Sequence, residues 1–164
     1  MTYARFGAMM ATSIVVMYGL MYLNSNSINH VWFSQTRVWM ALMMGAAMAI
    51  VMLSFMLKMY PDKRVNLAII GGSAVVFCAA LWLVRSQNTV HDVDYMKAMI
   101  PHHSIAILTS ERAHIRDPRV RKLADGIIET QVKEIDEMKQ LIGELERNPV
   151  PSGTPDLPSM AATP

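Results

Sequence analysis

The stretch Met99-Ile100-Pro101-His102-His103-Ser104 is the part of this chain best equipped for chemistry. Two imidazoles and a thioether flank a proline inside an amphipathic pattern, and neutral imidazole with thioether sulfur is a donor set that suits copper. Met96, Met99, His103, Ile107 and Ser110 follow the three/four rhythm of one helix face, so His103 points inward. His102 diverges from it by about 100° and falls to the flank, where it reaches the same ion from the side or from another subunit. Pro101 removes the partner of the Lys97 carbonyl, opening room beside Met99.

A second helix must supply the other wall. Val120, Leu123, Ala124, Ile127, Ile128, Ile135, Met138, Leu141, Ile142 and Leu145 form its apolar stripe, interrupted by Gln131. Between the two helices "RDP" is a break, with Asp117 suited to the N-cap and Pro118 to the first helical position. Folding there into an antiparallel hairpin places His103 across from Gln131, Met99 near Ile135 and Glu134, and Met96 across from Met138. The candidate metal ligands are therefore His103, Met99, His102, Met138, Met96, Glu134 and Gln131. If His103 is not a ligand, its simplest role is a core hydrogen bond to Gln131.

Two other constellations compete. Glu111 and His114 form an E-x-x-H pair of the kind used in di-iron carboxylate bundles. The next glutamate that could support it, Glu134, lies about 16 Å further along the hairpin, so the set is incomplete. The methionines Met40, Met43, Met44, Met48, Met52, Met56 and Met59 tempt a copper-channel reading. A four-residue step overshoots a turn by about 40°, so the row winds through roughly 160° and lines no single stripe.

The elements around the hairpin follow from charge distribution. Residues 1–85 hold only seven charged side chains, whereas residues 86–148 hold nine Lys or Arg and eleven Asp or Glu. Three apolar blocks, Phe6–Leu23, Val38–Leu57 and Val65–Val84, approach the roughly 20 residues that span a bilayer core. The first lacks a small-x-small cleavage site and reads as a retained anchor. Lys58, Lys63, Arg64 and Arg5 put the N-terminus and the second loop in the cytoplasm, and the hairpin outside. No Asp, Glu, Lys, Arg or His interrupts the blocks, which argues against a proton-coupled transporter. Ala41/Gly45/Ala49 and Ala68/Gly72 allow close helix approach. Cys78, alone in the chain, reads as a small apolar residue.

Beyond Arg85, Thr89 and Asp92 have capping-box spacing, and the first hairpin helix is expected to run to about Ile115. The second should run to about Arg147 and stop at Asn148–Pro149. The proline-rich 149–164 reads as a disordered tail. Arg112, Arg116, Arg119, Arg121 and Lys122 at the hairpin tip read as a solvated helix end, and a hairpin outside the membrane implies no nucleic-acid partner.

"DVDYMKAMIPHHSIAILTSERA" followed by "DPRVRKLADGIIETQVKEIDEMKQLI" resembles the domain-of-unknown-function 305 family of ferritin-like helical proteins. The resemblance covers about residues 91–145. It implies a copper-associated helical domain, with Met99, His102, His103 and Met138 at motif positions and Gln131 and Glu134 in the second motif. Thr109 stands where family members often carry methionine, and this chain has one hairpin where many members have two.

The expected architecture is all-α: a three-helix transmembrane anchor (1–85), an exported two-helix antiparallel hairpin (86–148) that is half of a ferritin-like four-helix bundle, and a tail (149–164). The expected protein sits in the lipid bilayer of a bacterial plasma membrane with the hairpin in the periplasm. It binds a copper ion there for sequestration or handover. No nucleophile–base pair or phosphate loop marks an enzyme. The alternatives are an accessory subunit of a larger membrane complex and, behind it, a di-iron protein. A hairpin with an apolar stripe also needs cover, from a second copy or another membrane protein.

Overall fold

The computed structural model describes residues 2–159. Among them the chain is all-α, with five helices: α1 (Tyr3–Leu20), α2 (Gln35–Met56), α3 (Lys63–Ser86), α4 (Asp92–Arg112) and α5 (Pro118–Arg147). Single 3₁₀ turns lie at Ile28–His30 and Leu57–Met59.

Gln35–Met59 and Lys63–Ser86 are long and apolar enough to cross a membrane. The first apolar block does not match them. α1 has 18 residues, or about 27 Å against a hydrocarbon core of about 30 Å, and Arg5, Thr12, Ser13 and Tyr18 dilute it. α2 turns its small residues inward: Ala41, Gly45, Ala46 and Ala49 are buried. A Cβ on Gly45 would lie 2.4 Å from Ile14, so glycine there lets α1 approach. The matching expectation for Ala68/Gly72 fails. Both are exposed and border an open gap of about 300 Å³ shared by α1, α2 and α3. The α2 methionines are packing residues: Met48, Met52 and Met56 rest on Phe6, Met10, Leu53 and Tyr60.

Both ends of this layer are tied. At one end the Tyr3 hydroxyl shares its single hydrogen between the Asp62 carbonyl at 3.1 Å and Asn66 Oδ1 at 3.0 Å, while Asn66 donates to the Tyr60 carbonyl at 2.8 Å. At the other, Ser34 N–H donates to the Tyr22 hydroxyl at 3.1 Å. Arg37 lies buried in the first turn of α2, 4.2 Å over the Tyr22 ring, and donates to the Met21 carbonyl. Arg37 is therefore a packing element between α1 and α2.

The hairpin forms as its break signals require. Asp117 caps α5 by accepting from Arg119 N–H at 2.8 Å, with Pro118 in its first turn. The Arg119 guanidinium bonded to Asp117 holds this carboxyl below the usual carboxylate range. Asn148 ends the helix. The start of α4 differs from expectation. A turn closed by Val90 N–H onto the Gln87 carbonyl, with Gln87 left-handed at φ 52°, occupies the linker. Thr89 falls inside it, its hydroxyl buried without a partner, and His91 is the N-cap residue without a side-chain bond. α4 then runs through the buried Pro101 and stops at Arg112, a turn earlier than expected.

One contact has no counterpart among the sequence expectations. The α1–α2 segment packs along the middle of α4, where Ser104 is fully buried. Asn26 N–H donates to Ser104 Oγ at 2.7 Å, and His30 Nδ1 sits 3.0 Å from the same oxygen. With one lone pair taken by Asn26, the hydroxyl proton is free to point at His30, whose Nε2 then carries the ring hydrogen. Trp32 packs on the hairpin core of Met96, Ile100, Ile107, Ile135, Met138 and Ile142. The apolar stripe that the hairpin cannot bury by itself is thus partly covered from within the chain.

Candidate metal centre

His103 occupies the site because the α4 face that carries Met96, Ile100 and Ile107 faces α5. Its two ring nitrogens have different surroundings. Nδ1 lies 2.9 Å from the Met99 carbonyl, one turn back on the same helix. A carbonyl only accepts, so Nδ1 carries a hydrogen. Nε2 lies 2.9 Å from Glu134 Oε2 across the hairpin, and Gln131 donates to the same carboxylate oxygen at 3.4 Å. The His103 side chain is 13% exposed and that of Glu134 44%, so the pair sits at the mouth of an opening.

That opening is a cleft of about 780 Å³ between α4 and α5. Met96, Met99, His103, Glu134 and Met138, five of the seven candidates, line it. Gln131 faces a different groove on α5, and its bond to Glu134 replaces the expected contact with His103. The imidazole therefore meets Glu134 rather than Gln131. His102 is exposed, its ring centroid 6.0 Å from that of His103, in keeping with a flank position.

Asp92, Tyr95 and Glu137 also line the cleft, beyond the residues the sequence points to. Asp92, Tyr95 and Met99 share a three/four spacing, and Glu137 follows Glu134 by three, so the helical period was the available signal. Val150, Thr154, Pro155, Asp156 and Leu157 of the proline-rich tail, which carries no helix or strand over 149–159, complete the wall. The rest of that tail, 160–164, lies outside the described residues.

The other constellation does not assemble. α4 ends at Arg112, so His114 lies beyond the helix and shares no face with Glu111. Both are exposed. Among the described residues no group of three or more His, Cys, Asp or Glu could hold a metal ion.

The fold and cleft define an all-helical protein, an apolar helical layer carrying a polar hairpin that presents one histidine among three methionines. The model of the family described as Domain of unknown function (DUF305) matches residues 83–163. The chain is 32% identical over 139 residues to an uncharacterized protein of Acanthamoeba polyphaga mimivirus, covering 83% of this chain and 90% of that one. The chain belongs to this DUF305 family. A match of that length also takes in much of the apolar layer upstream of residue 83. No solved structure matches the chain.

Proposed function

We propose that this chain is a membrane-anchored copper-binding protein, holding Cu(I) in the α4–α5 cleft for sequestration or handover rather than for catalysis. One observation carries the reading. The Met99 carbonyl fixes the hydrogen of His103 on Nδ1, which aims Nε2 into a cleft lined by Met96, Met99 and Met138. Metal-binding histidines are oriented in this way, by a backbone or carboxylate acceptor on the other ring nitrogen. Glu134 Oε2 lies 2.9 Å from Nε2 and accepts its hydrogen bond, so Nε2 would hold an ion only after giving up that hydrogen, with the Glu134 carboxylate beside it as proton acceptor or counter-charge.

Anchoring is supported by the outward faces of the layer. Phe55 is 87% exposed, Leu67 72%, Val75 69% and, on α1, Val15 70%. Surface of this kind needs lipid or another apolar partner. α1 shares the two tied ends of α2, so we assign it as a third span. Arg5, Lys58, Lys63 and Arg64 cluster at the end opposite the hairpin, which assigns the hairpin to the outer side, the periplasm in a Gram-negative cell.

Cu(I) titration of the full chain in detergent against a competing chelator tests the reading. His103→Ala, Met99→Leu and Met138→Leu should each weaken binding by at least about tenfold, since changes even outside the ligand shell cost that much. Equal binding by all four proteins, each shown to be helical by circular dichroism, refutes it.

A further inference from the structure

The segment after α5 turns back instead of trailing away. Pro149 and Pro151 cannot continue a helix. Thr154 donates to the Pro151 carbonyl twice, from its N–H at 3.2 Å and from Oγ1 at 2.8 Å. The turn closed in this way carries Gly153 at φ 91° in its third position, a conformation that favours glycine. Val150 before the turn and Thr154, Pro155, Asp156 and Leu157 beyond it line the α4–α5 cleft. Every residue of 149–159 is nonetheless exposed, and Leu157 is 92% so. On the helix side of the same cleft Leu141 is 41% exposed. Apolar surface therefore stands on both sides of the cleft without being buried, a gap that closure would fill.

Charge opposes that closure. Asp92, Glu134, Glu137 and Asp156 line the cleft, and no Lys or Arg does. Glu134 is bonded to His103, but Asp92, Glu137 and Asp156 take part in no ion pair among the described residues. Bringing the tail inward moves the Asp156 carboxylate toward like charges in a space that excludes water. We propose that residues 149–157 form a strap, hinged at the Pro151–Thr154 turn, which closes over the cleft by laying Leu157 against its apolar wall, and that Asp156 holds the strap ajar until a cation enters. A cation in the cleft offsets the repulsion, and the closing strap then retains it. Prolines at 149, 151 and 155 restrict the backbone beforehand, so ordering the strap costs little. That the cation is Cu(I) rests on the proposed function, whereas closure itself is a property of the tail and is tested without metal.

The metal-free test is oxidation of Met99 by dilute hydrogen peroxide, a neutral probe, in the full chain in detergent, read by peptide mass spectrometry with Met48 of the apolar layer as internal reference. Asp156→Asn removes the like charge and should slow Met99 oxidation by about threefold. Adding Leu157→Ser or Gly153→Val to Asp156→Asn should return the rate to that of wild type, since one removes the apolar contact and the other strains the hinge. A rate indifferent to Asp156→Asn overturns the strap, as does slowing that persists in both double variants. Withdrawal of Cu(I) by a chelator separates this proposal from the copper reading. Leu157→Ser and Gly153→Val should each release the ion about fivefold faster than wild type, and release at the wild-type rate from both overturns the strap. If none of the proteins binds Cu(I), the copper reading falls and the Met99 rates alone decide the strap.

Discussion

Replacing Ser104 by alanine removes one oxygen and almost no volume, yet it cuts both hydrogen bonds by which α4 holds the α1–α2 segment at Asn26 and His30. Ser104 is fully buried, and its Oγ meets Asn26 N–H at 2.7 Å and His30 Nδ1 at 3.0 Å. In the Ser104→Ala protein the Asn26 amide faces a methyl group. Leaving a buried donor unpaired costs about 1–3 kcal/mol, and the imidazole recovers part of its own loss by turning to water. A local cost of about 2 kcal/mol corresponds to roughly 30-fold faster opening of this segment. Amide hydrogen exchange of the full chain in detergent, resolved to the peptide that carries Asn26–Trp32, reads this directly. Protection should fall there by about that factor and stay unchanged in α3, whose hydrogen bonds do not involve Ser104. Exchange at Asn26 within about twofold of wild type would show that Trp32 packing alone holds the segment, and the reasoning would fail.

The same clasp should respond to pH. Burial, reinforced by Lys139 and opposed by Asp136, lowers the His30 pKa below its ordinary 6.5. The folded state then binds fewer protons than the detached one, so the docking contribution is full above about pH 6.5 and is lost as pH falls toward the lowered value. Exchange at Asn26–Trp32 should therefore accelerate from pH 7 to pH 5 beyond the intrinsic chemistry, and His30→Asn should flatten that excess. Within the apolar layer, Gly45→Val sets a side chain against Ile14, which lies 2.4 Å from where the new Cβ would stand and is β-branched and stiff in a helix. Overpacking of this kind costs about 1–3 kcal/mol, so thermal stability in detergent should drop, and Gly45→Val with Ile14→Ala should recover most of the loss.

Local physical chemistry carried much of this protein in plain view. Asp117 and Pro118 start α5 because a capping carboxylate and a fixed φ need no tertiary help. The three/four rhythm placed Met96, Met99, His103 and Met138 on facing walls, since side-chain direction on a helix depends only on its period. The length and apolarity of α2 and α3 were likewise readable residue by residue.

What the sequence left open were choices between equivalent partners. Whether His103 meets Gln131 or Glu134 depends on how far one helix slides along the other, and a glutamate and a glutamine one turn apart look alike to a periodic pattern. Thr89 has the spacing of a cap, but the left-handed turn at Gln87 moved the helix start beyond it. Ser104 had no visible role because its partners, Asn26 and His30, lie more than seventy residues away. Hydrogen bonds of that reach leave no local signature. They exist only once the apolar layer and the hairpin have packed, and the tertiary structure alone decides them.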